Sequence, residues 1–74
     1  MKPRYETRDE LTPRERDVAS LIIHGLENHE IAAALSVSRK AVERHVSDIL
    51  SKLGLKNRTQ LVLHLVATDQ VLIW

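Results

Sequence analysis

Between Ser36 and Arg58 stand six basic side chains, Arg39, Lys40, Arg44, Lys52, Lys56 and Arg58, against two acidic ones, Glu43 and Asp48. The stretch carries an excess of four positive charges. The rest of the 74-residue chain has five basic and eight acidic residues, so the net charge of +1 conceals the cluster. Guanidinium forks and ammonium groups interleaved with hydroxyls suit a phosphate-rich polyanion. On charge alone, a solvated helix face explains the same pattern equally well.

Other chemistries find little support. The chain has no Cys, which excludes disulfides and thiolate metal sites. His24, His29, His45 and His64 fall on different helices or helix ends with no ligand-like pairing, so no metal and no cofactor are expected. There is no Gly-rich phosphate loop and no nucleophile elbow. Glu15 fits a helix cap and ion pair better than catalysis. The chain reads as a binding protein, not an enzyme.

The elements that must position the cluster are helices. Thr12-Pro13-Arg14-Glu15 combines an N-cap, a proline at the first helical position and a capping-box Glu, and predicts a helix over about 13–24, ended by Gly25. Asn28 is the expected cap of a short helix over about 29–35, with Ile31, Ala32 and Leu35 on one face. Ser38 then caps a third helix, in which Val42, Val46, Ile49, Leu50 and Leu53 fall at helical spacing before Gly54. Asn57 and Gln60 open a fourth helix that is apolar over most of its circumference. One face of it, Leu61, Val62, Leu65 and Val66, is expected to meet the core. Leu63 and Ala67 then point elsewhere, towards a partner, unless the tail Val71–Trp74 covers them.

The predicted fold is all-α, with four helices around an aliphatic core, since Phe is absent. Residues 1–10 read as a polar arm or linker stub and residues 11–74 as one domain. No apolar run approaches the roughly 20 residues of a bilayer span, and MKPRYETRDE is no signal peptide, so a soluble intracellular chain is expected. Helices two and three, joined by only Ser36–Ser38, cannot lie antiparallel. They predict a helix-turn-helix over about 28–47 whose second helix exposes a polar ridge. Such a ridge fits the B-form major groove, roughly 12 Å wide.

The stretch 11–67 resembles the LuxR-type helix-turn-helix domain of quorum-sensing, NarL/FixJ and GerE-like regulators. The matching residues are LTPRE (11–15), Gly25, Asn28 with EIA (30–32), Leu35, Ser38, Val42, HV (45–46), IL (49–50), KLG (52–54) and NRT (57–59). The resemblance implies a dimeric, sequence-specific regulator of transcription in the bacterial cytoplasm, associated with the nucleoid. It would bind partly palindromic double-stranded DNA, with RNA polymerase as a further partner.

The family's pattern places the third helix, about 39–53, in the major groove. Its base-contacting positions correspond to Glu43, Arg44 and Ser47. Ser38, Arg39 and Lys40 are expected at phosphates. Lys52 and Arg58 match family positions too, as phosphate contacts or as structural partners of carboxylates and helix ends. Leu63 and Ala67 on the fourth helix are the expected homodimer contacts. Two positions depart from the family: Ala41 replaces a usual Thr, and His29 a frequent Lys. Glu43 stands where a basic residue is common, and either accepts from a base or pairs with Lys40 or Arg39. Two other readings share parts of the pattern, a sigma-factor-like promoter reader and a protein-interaction domain without DNA binding.

Overall fold

A computed structural model of the chain describes residues 11–68. The expected arm over 1–10 and the tail Val71–Trp74 lie outside the described residues. The four expected helices are present: α1 (Pro13–Ile23), α2 (Asn28–Leu35), α3 (Arg39–Leu53) and α4 (Arg58–Thr68). No strand occurs among the described residues.

Local hydrogen bonds explain the starts. Thr12 Oγ1 accepts from the Glu15 N–H at 3.1 Å, and Glu15 Oε1 accepts from the Thr12 N–H at 2.9 Å, with Pro13 just inside the helix. Ser38 Oγ accepts from the Ala41 N–H at 3.0 Å. Asn57 Oδ1 accepts from the Gln60 N–H at 2.9 Å, while Gln60 Oε1 reaches back to the Lys56 N–H at 2.7 Å.

The start of α2 corrects the sequence reading. Its N-cap is Glu27, not Asn28, and Asn28 is the first helical residue. Glu30 accepts the Glu27 N–H at 2.7 Å, which closes the helix start one residue earlier. The Asn28 side chain is thereby released for a long-range bond.

Three helix ends repeat one device. Gly25, Ser36 and Gly54 adopt positive φ values of 89°, 58° and 69°. In each case the next residue is apolar and its N–H bonds five residues back: Leu26 to Leu21 O (3.1 Å), Val37 to Ala32 O (3.0 Å), Leu55 to Leu50 O (2.9 Å). Leu26, Val37 and Leu55 also pack against the core. This is the Schellman closure with its hydrophobic contact. Glycine adopts such φ freely, whereas a serine there carries about 1 kcal/mol of strain. Ser36 holds that conformation between the end of α2 on one side and Val37 on the other, whose N–H is bonded to Ala32 O and whose side chain packs against the core.

Packing centres on α3, which lies against α1 and α2, while α4 lies against α1. Val18, Ile31, Val42, Ile49 and Leu61 are fully buried, one or two from each helix. Each such side chain contributes about 1.5–3 kcal/mol relative to exposure. On α4, Leu61 and Leu65 are buried, and Val62 packs partly. Val66, expected on the core face, is 37% exposed, so the buried strip of α4 is narrower than the apolar pattern suggests.

Candidate nucleic-acid interface

The amphipathic period of α3 divides that helix into two working sides. Val42 and Ile49 are buried, and Val46, Leu50 and Leu53 pack around them. The opposite side exposes Arg39, Lys40, Glu43, Arg44, Ser47, Asp48 and Ser51. The five expected positions Arg39, Lys40, Glu43, Arg44 and Ser47 are thus brought onto one exposed side of a single helix. Ser38, also exposed, stands at its start with its hydroxyl engaged as the cap. Among the described residues no ion pair engages Arg39, Lys40, Glu43, Arg44 or Asp48. The alternative in which Glu43 merely pairs with Lys40 or Arg39 finds no such contact here.

Lys52 and Arg58 are placed differently. Lys52 Nζ bonds Glu15 Oε1 at 2.7 Å, joining the end of α3 to the start of α1. Glu15 is 3% exposed and also accepts from Thr12. Burial, the largest single influence, pushes its carboxyl up. The Lys52 bond, the Thr12 N–H and the positive charge of Lys52 and His45 outweigh burial and hold it below its ordinary value. Arg58 spans α4 and α2: Nη1 donates to Asn28 Oδ1 and Nη2 to the Leu26 carbonyl, each at 2.7 Å. Both cations therefore bond within the fold, as the structural option in the sequence reading has it, beside the phosphate contacts expected of them. Sequence reasoning missed Asn28 as the acceptor for Arg58, because its residue type and position imitate a helix cap.

The remaining charges sit on the flank. His29 lies 3.7 Å from Glu27 at the exposed start of α2, beside Glu30. This end of the motif is acidic, whereas the exposed cations Arg39, Lys40 and Arg44 lie on α3. At the far side, α4 exposes Leu63 (64%), Val66 and Ala67. No helix among the described residues is long and apolar enough to cross a membrane.

Comparison with known proteins gives a consistent result. Residues 9–65 match the family described as bacterial regulatory proteins, luxR family. The chain is 47% identical over 64 residues to the response regulator protein VraR of Staphylococcus aureus, and equally to VraR of Staphylococcus saprophyticus and of Staphylococcus epidermidis. The match covers 86% of this chain and 31% of each relative, so the chain spans under a third of the relatives' length.

Proposed function

Since the chain belongs to the luxR family of bacterial regulatory proteins, and so carries the DNA-binding helix-turn-helix of a transcription regulator, we propose that it recognises specific operator sequences as a dimer. In this reading α3 enters the major groove, Glu43, Arg44 and Ser47 meet base edges, and Arg39, Lys40 and the Ser38 helix start hold phosphates. Lys52 and Arg58 add positive potential near the duplex but take no phosphate as their main partner, since both already bond within the fold. The protein acts in the cytoplasm at the nucleoid, where a promoter-bound regulator meets RNA polymerase.

The observation that carries the reading is the exposed side of α3, whose cations have no partner among the described residues and lie opposite the fully buried Val42 and Ile49. Titrating labelled random and selected duplexes at low salt tests it. Binding to random DNA with tighter binding to selected sites is expected. An interaction domain without DNA binding would leave both titrations flat.

Electrostatics gives a sharper test. Each phosphate neutralised contributes about −0.9 to the slope of log affinity against log salt. Lys40→Ala is therefore expected to flatten that slope by about 0.9 and to weaken random and specific duplexes alike. A loss confined to the specific site would remove Lys40 from the phosphate contacts.

Assembly falls to α4, because Leu63 and Ala67 lie off its buried line and Leu63 is 64% exposed. Burying one Leu side chain contributes about 1.5–3 kcal/mol, or roughly tenfold or more in affinity. Leu63→Asp is expected to reduce affinity for a two-half-site duplex by that factor. Its helical circular dichroism and single-half-site affinity should stay unchanged. Parent-like binding to the paired site would rule out α4 as the interface.

A further inference from the structure

Within the exposed side of α3, Glu43 is the chemical exception. It is a carboxylate among Arg39, Lys40 and Arg44, and it is exposed. Helical spacing puts Arg39 four residues before it and Lys40 three residues before it, the two positions from which a cation normally reaches. Neither forms an ion pair with it, and no other described residue does. The carboxylate is therefore solvated in the free protein and stripped of water when the helix is seated. An acceptor-only group in that position is heavily penalised unless it finds a donor.

The major groove offers two kinds of donor, the amino groups of cytosine and of adenine. They differ in their neighbours. Adenine sets its N6 amino group beside the N7 acceptor, a pattern that matches an amide, which both donates and accepts. A carboxylate has no donor for N7 and is repelled by it. Cytosine sets its N4 amino group beside a carbon, so a lone carboxylate meets a lone donor. Guanine and thymine present acceptors and repel it. We infer that Glu43 determines specificity by requiring a cytosine amino group in each half-site, with rejection of guanine and thymine acceptors as the larger part of the selection.

The inference rests on the major-groove reading of α3 and deepens it. Successive helical residues point about 100° apart, so Glu43 and Arg44 address different groups. Their demands are opposite and complementary. Arg44 fits the O6 and N7 acceptors of guanine, and Glu43 fits the cytosine amino group. A G·C pair, or two neighbouring ones, satisfies both.

The test uses a duplex selected from random DNA by the parent chain. Each cytosine of a half-site is replaced in turn by the three other bases, with their complements, and by 2-pyrimidinone, which lacks the amino group. Affinities are measured for the parent, for Glu43→Ala and for Glu43→Gln. At one cytosine, loss of the amino group is expected to weaken the parent about tenfold and Glu43→Ala by less than twofold. Glu43→Gln is expected to accept adenine there, and Glu43→Ala to bind random DNA more tightly than the parent.

Any of these results would overturn the inference: the same amino-group penalty in Glu43→Ala as in the parent, a parent preference for adenine at that position, or a selected site without cytosine. Tighter binding of Glu43→Ala to every duplex with unchanged base preference would reduce Glu43 to a bulk charge and also overturn it. In all of these the parent still binds DNA. Failure of the parent to bind any duplex would instead remove the reading beneath.

Discussion

Lys52→Met is expected to remove about 2 kcal/mol of stability at pH 7, measured by urea unfolding followed by circular dichroism. Breaking a buried ion pair by deleting one partner costs about 3–5 kcal/mol, since it leaves a buried charge uncompensated. Glu15 is 3% exposed but the Lys52 side chain is 36% exposed, and the Thr12 N–H remains on the carboxylate, which places the loss below that range. Methionine keeps the length and helix propensity of lysine, so the change isolates the charge. Small domains hold only about 5–15 kcal/mol in total, so the variant sits near its unfolding threshold.

The same substitution reverses the sign of a pH dependence. In the parent the Glu15 carboxyl is held below its ordinary value of 4.5, so its stabilisation is present above that pH and lost as pH falls through the lower folded-state value. Without Lys52, burial is the largest influence remaining, and it pushes the carboxyl up. The variant's penalty is then greatest at neutral pH and is relieved by acid. The stability gap between parent and variant is expected to narrow from pH 7 towards pH 4. A constant gap, or one under about 1 kcal/mol, would show that solvent already screens the pair.

Arg44→Ala is expected to do the opposite: to spare the fold and damage recognition. The side chain is exposed and makes no ion pair among the described residues, so the loss of stability stays within about 0.5 kcal/mol. Discrimination at one base pair per half-site should fall by about 1–3 kcal/mol, the value of a bidentate contact to guanine. Affinity for random duplexes should fall less, because one charge among several is lost. The check is a complete single-substitution panel of the selected site, bound by parent and variant. An unchanged base preference at every position would refute the major-groove placement of α3.

Much of this architecture was legible because local rules and packing agree. Thr12, Ser38 and Asn57 cap the helices that their residue types announce, and Gly25 and Gly54 end them. The apolar period of α3 identified Val42 and Ile49, both wholly buried. Ser36 was not legible as a left-handed residue, since serine carries no preference for that conformation and the neighbours impose it. The cap at Glu27 was hidden by Asn28, whose amide looks local but answers a guanidinium thirty residues away. Val66 was misplaced because helical periodicity gives a direction, and only tertiary packing says how wide the buried strip is. At the candidate interface, sequence proximity grouped Lys52 and Arg58 with Arg39, Lys40 and Arg44. Their partners on α1 and α2 separate them.

In the proposed reading, where the exposed side of α3 meets base edges, that separation bears on how operator preference can change over evolutionary time. On α3, the residues tied to the rest of the domain and those on the exposed side are disjoint sets: Val42, Ile49 and Lys52 on one hand, Glu43, Arg44 and Ser47 on the other. Substitutions in the second set meet no packed neighbour and break no internal ion pair. Duplicated copies of such a domain can therefore diverge in their targets at three codons without passing through unstable intermediates. A designer can transplant a triplet into positions 43, 44 and 47 and expect the host to remain folded.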